Sequence, residues 1–135
     1  MDKNSLYYKR INESSVGHFI IGLYPRIKCY LRYQMSRIIA IRRGAKIGSN
    51  SIILRALAKR CNENFELGNN SSIDSYKIDL RSPVKIGNNV IISNDSEIIT
   101  TSHYIESPEW DHKYYGIEIE DYVWIASNGT NIAFM

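Results

Sequence analysis

The stretch Ile86-Gly87-Asn88-Asn89-Val90-Ile91-Ile92-Ser93-Asn94-Asp95-Ser96-Glu97-Ile98 decides how the chain is read. Its aliphatic residues Ile86, Ile92 and Ile98 recur at intervals of six. That spacing is too long for one strand and has no helical counterpart. Outward from it, the same pattern returns: an aliphatic residue, a small or acidic one, then polar residues suited to a turn. It stands at Ile47-Gly48-Ser49-Asn50, Leu67-Gly68-Asn69-Asn70 and Ile119-Glu120-Asp121-Tyr122, and Ile53, Ile73 and Ile125 follow six residues after each start. Six residues make one short strand and one turn. Three such units close a triangular coil of about eighteen residues whose aliphatic side chains point inward. Stacked coils then place each strand roughly 4.8 Å from the next. The repeat thus predicts a parallel β-helix of about three to four coils, with Ile47, Ile53, Leu67, Ile73, Ile86, Ile92, Ile98, Ile119 and Ile125 inside. Gly and Asn suit the turn slots because both tolerate positive φ.

The starts of successive units lie 20, 19 and 33 residues apart. The small excesses over one coil predict bulges at corners. The large one predicts an excursion over about 102–116, holding His103, Tyr104, Pro108, Trp110, His112, Tyr114 and Tyr115. Loops projecting from a rigid scaffold are where function concentrates.

The whole chain is 135 residues long, 44% hydrophobic, 23% charged and +3 in formal charge, which fits one domain with a modest core and argues against bulk disorder. The charge is unevenly spread. Residues 1–46 carry ten bases and two acids, net +8, whereas residues 47–135 carry seven bases and twelve acids, net −5. The sequence therefore divides into a basic N-terminal helical segment, 1–43, and a repeat domain, 44–135. No apolar run reaches the ~20 residues that a bilayer requires, and no secretory signal is visible. Cys29 and Cys61 are too few for a disulfide framework or a zinc site. Cytoplasmic residence follows as the expectation.

In the front segment, Tyr30, Leu31, Met35, Ile38, Ile39 and Ile41 recur at helical spacing. Ser14 suits an N-cap, Gly44 a stop, and Pro25 is expected to split the segment or start a second helix. Three readings are open for its mixture of arginines, aromatics and aliphatics. One is a cap helix with a solvated face. A second is peripheral contact with an anionic membrane surface, at its inner face. The third, nucleic-acid binding, has no motif beyond charge, and no nucleic-acid partner is expected.

The Ile-Gly-Asn-Asn repeats, Thr100-Thr101-Ser102-His103, and Ile119-Glu120-Asp121-Tyr122-Val123-Trp124-Ile125-Ala126-Ser127-Asn128 resemble one family. It is the hexapeptide-repeat O-acetyltransferases of the maltose/galactoside and polysaccharide-acetylating type, and the likeness covers about residues 44–130. The resemblance implies a single-stranded left-handed parallel β-helix and acetyl transfer from acetyl-CoA, as co-substrate, to a sugar or glycan hydroxyl in surface-polysaccharide synthesis. It also implies a homotrimer with sites between neighbouring subunits. It assigns the general base to His103, an imidazole being suited to proton transfer near neutral pH. Trp124, Ala126 and Ser127 correspond to the acetyl-CoA path, with Ala126 where the family usually has glycine. Asp74 corresponds to the acceptor-binding stretch, although the family's asparagine is missing there. No metal is implied. Against these roles stand plain alternatives: His103 and His112 as solvated loop residues, and Trp124 as an outward packing residue.

The end of the chain departs from the family. Asn131 falls where an inward aliphatic is due, and Ile132 is one residue out of phase, which reverses a strand's facing. The family's further coils are expected to be missing. Two other functions compete: a non-catalytic truncated repeat protein, and a serine acetyltransferase-like enzyme, whose long helical N-terminal domain has no counterpart here. A zinc carbonic anhydrase would need three histidine ligands from a chain whose histidines are His18, His103 and His112.

Overall fold

The computed structural model describes residues 16–132, and side chains over 19–130. The chain divides into two compact units, Met1–Arg32 and Tyr33–Met135. One α-helix, α1 (Val16–Arg42), runs unbroken through Pro25. The expected split there does not occur, although proline removes the amide that would bond to the Ile21 carbonyl. The helix stops as the sequence suggests. Gly44, at φ 100°, donates its N–H to Ile41 O at 3.0 Å, and Ala45 donates to Ala40 O at 3.1 Å, a Schellman end. Ala40 and Ala45 are both buried beneath it. The N-cap assigned to Ser14 lies outside the described residues.

Twelve short strands follow among the described residues: β1 (Lys46–Ile47), β2 (Ile52–Ile53), β3 (Phe65–Leu67), β4 (Ser72–Ile73), β5 (Val84–Ile86), β6 (Ile91–Ile92), β7 (Glu97–Ile99), β8 (Thr101–His103), β9 (His112–Tyr114), β10 (Ile117–Ile119), β11 (Trp124–Ile125) and β12 (Thr130–Ile132). A short helix, α2 (Arg55–Ala58), lies between β2 and β3. The strands form a four-stranded sheet β1-β3-β5-β10, a second four-stranded sheet β2-β4-β6-β11, the pair β7-β12 and the pair β8-β9. The first three sheets are parallel and the last is antiparallel.

This arrangement overturns the expected single left-handed parallel β-helix of about three to four coils. The strands fall into four separate sheets, one of them antiparallel, and no strand exceeds three residues. Local sequence explains where regular coiling fails. After β2 and the extended Leu54, Arg55–Ala58 turns helical and buries Leu57 and Ala58. A helix advances about 1.5 Å per residue against roughly 3.3 Å for a strand, so it absorbs the extra residues without a corner bulge. After β4, Ile78 makes only an isolated bridge to Ile98. Beyond it, backbone groups pair with side chains instead of a ladder. Asp79 Oδ1 accepts from Arg81 N at 3.2 Å, and Asn62 and Asn64 both donate to Leu80 O. Pro83, with no N–H, then leads into β5.

Within the two larger sheets the repeated aliphatics stand in register. Ile47, Leu67, Ile86 and Ile119 are successive partners, as are Ile53, Ile73, Ile92 and Ile125. All but Ile47, which is half-buried, are buried, and Ile98 is buried with them. Each fully buried isoleucine contributes about 2 kcal/mol of transfer free energy.

The turns divide their labour differently from the expectation. Positive φ falls on Asn50, Asn70, Asn89 and Tyr122, between 54° and 62°, not on the repeat glycines. Gly48, Gly68 and Gly87 are needed for close stacking. A Cβ on Gly48 would meet Gly68 O at 2.5 Å, and one on Gly68 would meet Gly87 O at 2.5 Å. Beside them runs a side-chain ladder. Ser49 N donates to Asn69 Oδ1 at 2.8 Å, Asn69 N to Asn88 Oδ1 at 2.8 Å, and Asn88 N to Asp121 Oδ1 at 2.6 Å.

Candidate functional site: a histidine hairpin and the cleft at its foot

The excursion folds as the antiparallel pair β8-β9, with His103 directly opposite His112. Their ring centroids are 4.5 Å apart. His112, read as a plain loop residue from sequence, is therefore brought against His103 by the hairpin register. Nδ1 of His103 lies 2.7 Å from the carbonyl oxygen of Trp110. A carbonyl only accepts, so Nδ1 carries the proton of this bond. In the neutral ring that leaves Nε2 with a free lone pair. His103 is exposed, so this nitrogen belongs to a ring that a solute can reach.

Trp110 holds a left-handed backbone at φ 53°, rare for a bulky residue. Such conformers cost about 1–3 kcal/mol and persist where surroundings fix them. The surroundings here are the turn bonds Ser107 N to Tyr104 O and Trp110 N to Ser107 O, with Ser107 Oγ donating to Asp111 Oδ2 at 2.8 Å. Trp110 also meets His103 edge-on, with centroids 6.1 Å apart.

The foot of the hairpin is tied down by Asp79, a residue the repeat pattern does not single out. Its Oδ2 accepts from Thr101 Oγ1 at 2.7 Å and from Thr100 N at 3.3 Å, and Arg81 binds the same carboxylate through Nε and Nη2 at 2.8 and 2.9 Å. Partial burial favours the neutral acid, but the hydrogen bonds from Arg81, Thr101 and Thr100 outweigh it and hold the carboxyl well below the usual carboxylate range. Asp79 and Arg81 also line a cleft of about 850 Å³ with Arg60, Asn62, Asn64 and Lys77. Its walls mix these polar side chains with Ile78, Leu80, Ile98 and Ile99, the last two on β7, which precedes the hairpin strand that ends at His103.

The other sequence-predicted residues lie on the β2-β4-β6-β11 sheet or just past the ends of its strands. Trp124, on β11, points outward, and its Nε1 donates to Ser93 Oγ at 3.2 Å. Ala126 and Ser127 are exposed where the chain leaves that strand, and the Ala126 carbonyl accepts from Ser96 Oγ. Asp74 is exposed just after β4 and donates its N–H to Ile92 O. By register Asp74, Ser93 and Ala126 follow three adjacent buried isoleucines, Ile73, Ile92 and Ile125, and so stand in one column. Trp124 caps a second, outward column with Ile52, Ser72 and Ile91. The fold thus gathers Asp74, Trp124 and Ala126 along one sheet and His103, Trp110 and His112 in the hairpin. Strand β11, which carries Trp124, and the hairpin β8-β9 belong to different sheets.

Compared with models of protein families, with curated proteins and with solved structures, the chain matches none.

Proposed function

We propose that the chain is an acyltransferase that moves an acetyl group from acetyl-CoA to a sugar hydroxyl, with His103 as the general base. One observation carries the reading: the 2.7 Å bond from His103 Nδ1 to the Trp110 carbonyl, which fixes the ring and frees Nε2. An alcohol is a weak nucleophile near neutral pH, and a positioned imidazole takes its proton as it attacks. The hydroxyl oxygen bonds to the thioester carbonyl carbon while its proton passes to Nε2. The C–S bond of the tetrahedral adduct then breaks, and the leaving thiolate takes the proton held on Nε2, which restores the base. The cleft beside the hairpin, rich in Asn, Arg and Lys, offers the hydrogen-bonding partners that a polyol acceptor needs.

Trp124 and Ala126, proposed to face acetyl-CoA, stand on another sheet from His103. That separation favours a site completed by a neighbouring copy, as in the proposed homotrimer. The outward column Ile52, Ile91 and Trp124 gives such an assembly an apolar face to cover. The β1-β3-β5-β10 sheet instead presents the alternating charges Lys46, Glu66, Lys85 and Glu118.

The test is thiol release from acetyl-CoA in the presence of a panel of simple glycosides. The account expects acceptor-dependent release that falls roughly a hundred- to ten-thousand-fold in His103→Ala. Equal rates in the two proteins would remove His103 from the mechanism.

A further inference from the structure

We propose that the helix segment from Phe19 to Arg32 is a docking surface for an anionic lipid bilayer, lying in the plane of the interface. This inference stands apart from the acyl-transfer reading. Ile20, Leu23, Ile27, Tyr30 and Leu31 follow the three- and four-residue spacing of one helix face, with Phe19 at its edge. These side chains are exposed among the described residues: Phe19, Tyr30 and Leu31 are 64%, 63% and 56% exposed. On a 3.6-residue helix Arg26 and Lys28 fall on opposite flanks of this stripe, while Gly22, Pro25 and Cys29 take the far side. The helix Val16–Arg42 contains five Lys and Arg residues and no Asp or Glu.

The occupant follows from that charge. A second copy offering the same stripe would bring Arg26 and Lys28 against their own like, with no acid on the helix to meet them. Anionic headgroups meet both flanks while the acyl boundary takes the apolar side chains, which is how interfacial helices bind. Crossing the bilayer is a separate matter, since no described helix is long and apolar enough to do so.

The experiment is vesicle flotation with the full chain. Phosphatidylcholine vesicles containing phosphatidylglycerol are compared with phosphatidylcholine alone. The proposal expects binding to the anionic vesicles that weakens with added salt, and little to the neutral ones. Arg26→Glu with Lys28→Glu should weaken it roughly ten- to a hundredfold. Leu23→Ser with Ile27→Ser should abolish it, and Arg26→Lys with Lys28→Arg should preserve it. Helix content by circular dichroism is read for each variant, so that a loss counts only where the helix persists. Equal binding to both vesicle types, or loss in the charge-preserving variant, would overturn the proposal. So would the absence of vesicle binding together with a lower mass by light scattering for Leu23→Ser with Ile27→Ser, which would assign the stripe to a second copy.

Discussion

The hydroxyl of Thr101 donates a 2.7 Å hydrogen bond to Asp79, twenty-two residues earlier in the chain. Through it a carboxylate in the parallel part of the fold holds the first residue of the hairpin strand that ends at His103. Asp79 thus positions the hairpin strand, besides lining the cleft at its foot.

Replacing it by Asn keeps the shape and removes the charge that Arg81, Thr100 and Thr101 share. Asp79→Asn should cost about 2 kcal/mol of stability at neutral pH, the scale of hydrogen bonds to a charged group. The direction with pH follows from the lowered carboxyl. A group that is more acidic folded than unfolded stabilises the protein above its unfolded value, here the ordinary 3.8, and that stabilisation is lost as pH falls below it. Denaturant titrations at several pH values should show the variant losing less stability than the wild type on acidification below about 4. Equal stability of the two proteins at neutral pH would show that the network does not tie the hairpin down.

Tyr122 occupies the left-handed turn slot that Asn50, Asn70 and Asn89 fill elsewhere, and it is 80% exposed. Tyr122→Asn therefore loses little buried surface and relieves a conformation unfavourable to a bulky residue. A gain of about 1 kcal/mol is expected, read as a rise in the thermal midpoint. A fall would mean that the tyrosine makes a stabilising contact that its exposure does not suggest.

Gly68 sits between the backbones of Gly48 and Gly87, where a Cβ would lie 2.5 Å from Gly87 O. Gly68→Ala should destabilise by roughly 3 kcal/mol, at the upper end of overpacking, because main chain rather than a flexible side chain would have to give. Gly22→Ala, with nothing within 4 Å of the added carbon, is the matched control and should be tolerated. Equal thermal midpoints for the two variants would contradict the stacking argument.

The two cysteines should separate kinetically. Cys29 is exposed, whereas Cys61 is buried. Burial pushes the Cys61 thiol up to about 11, with nearby Arg43 pulling the other way. Near neutral pH a thiol reagent should label one cysteine at once and the second only on unfolding. Immediate labelling of both would place Cys61 outside the core.

Sequence periodicity reached some levels of this structure and missed others. Ile47, Leu67, Ile86 and Ile119 could be aligned from the sequence because a shared facing leaves a shared phase, and their parallel register follows it. The single β-helix expected from that phase does not follow, because the segments between repeats obey local rules. Arg55–Ala58 turns helical, and Asp79 draws Arg81 N out of any ladder. The sequence points to both Gly and Asn in the turns; the asparagines take the left-handed slots as expected, with Tyr122 in the fourth, whereas the repeat glycines serve close stacking instead. His103 stands out as the histidine opening a long insertion. Its partners do not, because the facing of His112 depends on hairpin register and the aim of the Trp110 carbonyl on one unusual backbone angle. Asp79 is hidden for a related reason: its contacts span 22 residues and follow no repeat.

The central claim is that this fold protonates His103 on Nδ1 and leaves Nε2 free to take a proton. Nitrogen-15 NMR of the imidazole rings, assigned with a His103→Gln variant and recorded at alkaline pH where imidazoles are neutral, reads the tautomer directly. The account predicts the Nδ1–H tautomer for His103. A ring protonated on Nε2 would show that the nitrogen assigned to the acceptor proton is already occupied, and would contradict it.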